Sequence, residues 1–244
     1  MSAPMRLEVF ESQEALAERC AAQLAEAIRA KPGALCCFAA GFTQNRTYEL
    51  FVQEVKQGSV PVDRLRLIGL DEWMTLNGGD EGSCRAYING CVINPLGLRE
   101  DQVLFYFDGK ADPNSQCRRA NDLLDQHGPI DLLVLGVGMN GHLGFNEPNT
   151  DPNLRAHAPM LTESSVTTGQ KYFARTNAPS QGLTLGLRDL LQARQIVVQV
   201  MGAHKKPTVE AMLGAIDPAC PASLLQNTHA TVYVDRAAYS PTVP

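Results

Sequence analysis

Residues 130–138, IDLLVLGVG, form an apolar stretch that ends in glycine. A strand with so little polar alternation must be covered on both faces, the condition of an inner strand in a parallel sheet flanked by helices. Other short strand candidates follow the same logic: ALCCFAA at 34–40, LRLIGL at 65–70, DQVLFYF at 101–107, ARQIVVQVMG at 193–202 and ATVYVD at 230–235. Helical segments fall between them. Residues 12–30 carry Leu16, Cys20, Leu24 and Ile28 at helical spacing and stop at Pro32-Gly33. A second helix follows Thr43, with Tyr48, Leu50, Phe51 and Val55; a third covers 113–126; a fourth runs through Leu213. This alternation predicts one α/β domain over residues 1–244: a doubly wound, mostly parallel sheet with helices on both faces. A chain of 244 residues can bury a core of this kind without disulfide or metal staples. Residues 147–182 are rich in Pro, Asn, Ser and Thr and weakly periodic, and are expected to form a loop or lid over the site.

Composition narrows the function. The net charge of −5 argues against a nucleic-acid partner, which needs a basic patch. The seven cysteines are odd in number and contain no CxxC pair, so neither structural zinc nor a disulfide framework fits; reduced thiols in the cytoplasm do. No cluster has metal-ligand spacing, and no metal or cofactor is expected. Glu8, Glu11, Glu14, Glu18 and Glu26 leave no apolar core for a signal peptide. The longest apolar runs, about six residues, fall far short of the ~18 that suggest a membrane helix.

Ligands of open α/β sheets sit beyond the carboxyl ends of the strands. Four segments fall there: Gly41–Arg46, Asp71–Trp73, Gly136–Asn149 and Gly202–Lys206. The third, GVGMNGHLGFNEPN, places Asn140, His142, Asn146 and Glu147 on a turn whose glycines permit close approach of backbone to ligand. It formally contains GxGxxG, but the acidic residue that closes a dinucleotide site ~20 residues on is missing. His142 and Glu147 on one tight turn are expected to hydrogen-bond, with the carboxylate raising the imidazole pKa above ~6.5. The plainer alternative is a glycine-rich connector with a solvated Glu. Asp71 can be a general base, or Asp71-Glu72 an acidic pair at a helix start. Gly41-Phe42-Thr43 suits a phosphate at a helix N-terminus, or Thr43 is a simple cap. Lys205 suits a phosphate too, or is merely exposed.

GVGMNGHLGFNEPN, above all its His-x-x-Phe-Asn-Glu-Pro portion, resembles the signature loop of the glucosamine-6-phosphate deaminase/isomerase family. LDEW resembles that family's Asp-Glu-aromatic motif, GFT its phosphate loop and GAHK its Gly-x-x-Lys, in order and spacing over about residues 34–235. The resemblance implies an aldose–ketose isomerase that releases ammonia from an amino-sugar 6-phosphate. Asp71 would move a proton between C2 and C1, His142 would open the ring, Glu147 would orient His142, and Glu72 would support the base. Gly41, Phe42, Thr43, Lys171 and Lys205 would hold the phosphate. Three departures stand out. Asn140 replaces the Asp of the glucosamine enzymes, Lys171 replaces an Arg, and Phe42 and Gln44 replace a Gly and a Pro. Asn140-Gly141-His142 together with LDEW, GLRED at 97–101 and LTLGLRDLLQAR at 183–194 is more similar to the galactosamine-6-phosphate isomerase branch. The same likeness leaves two rivals, a 6-phosphogluconolactonase-type hydrolase and a non-catalytic sugar-phosphate sensor. The expected partner is a small sugar phosphate, with no nucleic acid or membrane, and the expected assembly a monomer or small homo-oligomer.

Overall fold

Residues 4–174 and 176–240 are described by a computed structural model of the chain. Among the described residues nine strands form: β1 (Arg6–Phe10), β2 (Leu35–Phe38), β3 (Arg66–Ile68), β4 (Asp71–Trp73), β5 (Val103–Phe105), β6 (Leu132–Gly136), β7 (Gly182–Thr184), β8 (Ile196–Val200) and β9 (Thr231–Asp235). Seven make one sheet in the order β1-β9-β8-β6-β2-β3-β5, with every pairing parallel. The helices are α1 (Gln13–Ala30), α2 (Asn45–Lys56), α3 (Cys84–Ile88), α4 (Asn94–Leu96), α5 (Pro113–His127), α6 (Glu163–Gly169), α7 (Leu187–Leu191) and α8 (Lys206–Leu213).

Side chains alternate between two cores. On β6, Leu132 and Val134 face the layer of Leu16, Cys20, Leu24 and Ile28 from α1 and Tyr48 and Phe51 from α2. Leu133 and Leu135 face the opposite layer, with Leu124 of α5, Leu190 of α7 and Met212 of α8. A period of two along the strand thus delivers apolar groups to both helical layers, and this is why the run carries almost no polar residue. The doubly wound reading holds.

Two local expectations change. LDEW does not end the strand at 65–70. That strand stops at Ile68, and Asp71–Trp73 leaves the main sheet to pair antiparallel with β7. β1 was not expected; its Arg6 and Glu8 mask an edge strand that needs cover on one side only.

The amino end of the sheet is tied by Asp131. Its buried carboxylate accepts from the Leu35 N–H (2.9 Å) and from Lys31 Nζ (2.7 Å), with Arg194 Nε 3.2 Å away. Both cations are more than half exposed, so the buried N–H is the costlier partner to lose. Asp131→Ala is expected to lower stability by about 2 kcal/mol in urea denaturation. Substrate KM should stay unchanged, because the bond lies at the end of the sheet opposite the cavity.

Candidate active site

β2 and β6 are neighbours, but β2 leads outward through β3 to β5 while β6 leads the other way through β8 to β9. The crevice where they part is the switch point at which open α/β sheets bind ligands. A cavity of about 230 Å³ occupies it, lined by Gly41, Thr43, Asp71, His142, Lys171 and Lys205 among others. All four segments picked out in the sequence contribute residues to it. Buried Gln44 spans the crevice: its amide donates to the Gly41 carbonyl (3.1 Å) and accepts from the Gly136 N–H (3.1 Å).

β4 separates its two carboxylates by strand alternation. Asp71 and Trp73 face the cavity. Glu72 points away and is fully buried, accepting from the N–H groups of Trp73 (2.9 Å), Cys84 (3.0 Å) and Arg85 (3.2 Å) and from Ser83 Oγ (2.6 Å). Glu72 therefore anchors the first turn of α3 and does not reach the cavity. Asp71 is buried without such compensation. Desolvation pushes its pKa up from 3.8 to about 7, against the lowering effect of the Cys84 thiol, with the Glu72 charge raising it further. A carboxylate so placed is a strong base near neutral pH.

The loop after β6 brings His142 and Glu147 near each other, but not into the direct hydrogen bond expected. His142 Nδ1 lies 3.9 Å from Glu147 Oε2. Asn140 stands between them. Its Nδ2 donates to Glu147 Oε2 (2.7 Å) and to Thr162 Oγ1 (2.9 Å), and its Oδ1 lies 2.8 Å from His142 Nδ1. Thr162 Oγ1 in turn donates to Glu147 Oε2 (3.0 Å). With both amide hydrogens engaged, Asn140 offers His142 only an acceptor, so Nδ1 carries the proton and Nε2 carries the lone pair. Ser165 Oγ of α6 lies 3.1 Å from the same Nδ1.

The expected rise in the His142 pKa is also corrected. Burial lowers it to about 4, outweighing the raising effect of Glu147, and the Lys205 charge lowers it further. A carboxylate one amide away cannot repay the desolvation of an imidazolium. Gly138 packs under this ring, where a Cβ would lie 2.3 Å from the imidazole. Asn146 turns inward, donating to the Leu143 (2.8 Å) and Leu185 (2.9 Å) carbonyls; its role is to brace the loop.

Of the five phosphate candidates, Gly41, Thr43, Lys171 and Lys205 line this cavity, and the half-exposed Phe42 does not. Gln44 N–H bonds the Gly41 carbonyl (3.1 Å), and the Asn45 N–H caps back to Phe42, the pattern of a helix start whose earlier N–H groups are left for a ligand. Lys205 reaches across from the turn after β8 to donate to the Val137 carbonyl (2.5 Å). That turn is fixed by Asp235, whose carboxylate accepts from the Gly202 N–H at 3.0 and 3.1 Å, and Gly202 has φ +92°. Burial, then the nearby Lys171 charge, lowers the Lys205 pKa to about 8. Lys171 itself sits over the rings of Phe42 (5.4 Å) and Tyr172 (5.1 Å). Phe42 packs on Tyr172 with ring centroids 4.8 Å apart, so the residue that departs from the expected glycine ties the Gly41–Thr43 turn to the 163–172 wall.

Cys84, Ser165 and Thr162 were missed in the sequence. Thr162 had a readable signal: it is the N-cap of α6, accepting from the Ser165 N–H (3.3 Å). The other two carry no signal without the fold. Among the described residues there is no His/Cys/Asp/Glu cluster suited to a metal, and no helix is long and apolar enough to cross a membrane.

Residues 9–234 match the family described as glucosamine-6-phosphate isomerases/6-phosphogluconolactonase. The chain belongs to that family. It is 36% identical over 222 residues to AgaI of Escherichia coli (strain K12), whose assignment as a deaminase is itself provisional; the match covers 90% of this chain and 87% of AgaI. The structure is similar to that of a monomeric glucosamine-6-phosphate deaminase, with TM-score 0.92, 30% identity, and 96% of this chain and 98% of the other covered. The 6-phosphogluconolactonase of Trypanosoma brucei, at 18% identity and TM-score 0.74 with 98% of each chain covered, shares the fold.

The amide bridge has a measurable consequence. The His142 ring resonances are expected to stay unshifted in NMR titration between about pH 6 and 8. Asn140→Asp places a negative charge against Nδ1 and is expected to move the His142 titration upward.

Proposed function

We propose that this enzyme is a deaminating aldose–ketose isomerase of amino-sugar 6-phosphates. Galactosamine 6-phosphate going to tagatose 6-phosphate and ammonia is the preferred reaction, and glucosamine 6-phosphate going to fructose 6-phosphate and ammonia the second. The observation that carries this reading is a buried Asp71 with raised proton affinity, facing the cavity that His142 also lines. Proton abstraction from carbon calls for such a base, whereas hydrolysis of a lactone at His142 leaves it without a task. The preference for the galactose epimer rests on Asn140 and the branch-like motifs around it.

Lys205, Lys171 and the Gly41–Thr43 backbone hold the phosphate. Neutral His142 accepts the anomeric O1 proton at Nε2 and delivers it to the ring oxygen, which opens the pyranose to the aldehyde. Asp71 then removes the C2 proton and returns it to C1, while the aldehyde oxygen becomes the C1 hydroxyl by taking up the proton that the 2-ammonium group releases. C2 is left as an imine, and water adds there and expels ammonia. The balance is one water consumed and one ammonia released, with no change in net oxidation state, so no redox cofactor takes part. A lid within residues 147–182, of which 163–172 line the cavity in part, covers this step, and the protein works as a monomer or small homo-oligomer in the cytoplasm. Seven free cysteines fit a reducing compartment.

Ammonia release from galactosamine 6-phosphate and glucosamine 6-phosphate, with 6-phosphogluconolactone hydrolysis measured in parallel, tests the assignment. Faster ammonia release from the galactose epimer is expected. Binding without turnover would indicate a sensor, and lactone hydrolysis the other enzyme class. Asp71→Asn should lower kcat by ~10²–10⁴-fold with little change in binding. Lys205→Ala should raise KM about 10-fold or more while the fold persists, since it removes a charge-assisted contact to phosphate.

A further inference from the structure

Lys171 and Lys205 both line the cavity, and neither is neutralised. Among the described residues the lysine salt bridges are Lys31–Asp131 and Lys110–Asp80, so no carboxylate pairs with either cavity lysine. Lys205 is fixed by the Val137 carbonyl. Lys171 is placed instead against two ring faces. Its Nζ lies 5.4 Å from the Phe42 centroid and 5.1 Å from the Tyr172 centroid, and the two rings are 4.8 Å apart with a tilt of 38°. Ammonium and centroids thus form a nearly equilateral triangle. Tyr87 of α3 packs near both rings, at 6.2 Å from Phe42 and 6.3 Å from Tyr172, and its hydroxyl donates to Asn45 Oδ1 at the start of α2. The aromatic shelf therefore joins the Gly41–Thr43 turn, α3 and the residues after α6.

We propose that Phe42 and Tyr172 are positioning residues for Lys171: their ring faces hold its ammonium at the phosphate subsite of the cavity and leave its charge free for the anion. This rests on the reading of Lys171 as a phosphate ligand. A lysine ammonium is a point charge on a flexible four-carbon stem, without the planar fork that orients a guanidinium. Left unrestrained, it loses rotamer entropy when it binds. A carboxylate partner would order it but cancel its charge. An aromatic face attracts a cation within about 6 Å of the ring centroid and carries no net charge of its own. Two tilted faces confine the ammonium more than one, because it must stay close to both. Burial disfavours the charged form of Lys171 and lowers its pKa, and the negative ring faces act the other way. Lys205 is near enough to feel the Lys171 charge, so both cations gain from a shared anion. Phe42 is half exposed and does not line the cavity, so its role passes through Lys171 and not through contact with the ligand.

Two measurements on the full-length protein test this. The first is the affinity for inorganic phosphate, followed by NMR titration. Phe42→Leu keeps an apolar side chain and removes the ring face, whereas Phe42→Tyr keeps the face. Phe42→Leu should weaken phosphate binding roughly 2- to 5-fold, the worth of one exposed cation–π contact. Phe42→Tyr should bind as wild type does. In a Lys171→Met background the Phe42→Leu change should have no effect, since the interaction it removes is already gone. An equal loss in both backgrounds means that Phe42 acts through the turn backbone, and that result would overturn the proposal.

The second measurement needs no ligand. The ε-methylene protons of Lys171, identified by their loss in Lys171→Met, should resonate upfield of those of the exposed lysines because of the two ring currents. They should return downfield in Phe42→Leu and hold their place in Phe42→Tyr. Lys171 protons that resonate among those of the exposed lysines in wild type would overturn the assignment. The two readings fail separately. If Lys171→Met leaves phosphate affinity unchanged, the phosphate reading fails and the proposal falls with it. If Lys171→Met loses affinity and Phe42→Leu does not, the phosphate reading stands and the proposal alone falls.

Discussion

Everything in the cavity hangs from the parting of β2 and β6. These adjacent parallel strands are hydrogen-bonded through Phe38 and Val134, and then their chains turn in opposite directions. The gap left behind would expose backbone groups that burial penalises. Gln44 closes it with one amide, accepting from Gly136 and donating to Gly41. That single side chain ties the Gly41–Thr43 turn to the end of β6, from which the loop of His142 begins. It also explains why a polar residue tolerates near-complete burial at the start of a helix, and why Gly136 must be small: a Cβ there would lie 2.9 Å from the Gln44 amide.

Within this frame the protein holds two groups in the charge state that suits chemistry and not stability. The folded state binds the Asp71 proton more tightly than the unfolded chain does, with a pKa of about 7 against 3.8. Its contribution to stability is therefore present at low pH and is lost as pH rises between those values. For His142, about 4 folded against 6.5 unfolded, the sign is reversed: stability is lost as pH falls through that window. Between pH 4 and 6.5 the two partly cancel. Above 7 the ionised Asp71 is an uncompensated burden, which the deep aliphatic layers on both faces of the sheet must carry.

The central strands and major helices were legible because their signals are local. Unbroken apolar runs mark β2 and β6, and Ser12 and Asp112 cap α1 and α5 where the sequence periodicity begins. The convergence of Asp71, His142 and Lys205 was legible too, since the strand-end rule needs only the order of the elements, whereas Lys171 came only from the resemblance to the family. Sequence reasoning failed where contacts are non-local. The β4–β7 pair joins residues 71–73 to 182–184, and neither partner is long or periodic enough to declare itself. The His142–Glu147 contact was misjudged for a different reason. Spacing on a turn fixes proximity to within a few ångströms, while a hydrogen bond is decided by less than one, and Asn140 occupied the interval.

That occupation has a chemical consequence. A carboxylate at position 140 would accept from Nδ1 as the amide does, but it would also favour the imidazolium. The amide keeps the geometry and withholds the charge. His142 is thereby held as a neutral imidazole with a fixed tautomer, and the charge of Glu147 is spent on ordering Asn140 and Thr162. In the reaction proposed above, ring opening begins with His142 as a base at Nε2, with the acid created only by the proton it has just taken from the substrate. Because Thr162 caps α6 and Ser165 of that helix touches Nδ1, this neutral relay is complete only when the 163–172 wall is in place. Lys171 and Tyr172 at the far end of that wall contact Phe42 of the Gly41–Thr43 turn, so the proposed phosphate site and the state of His142 depend on the same short segment.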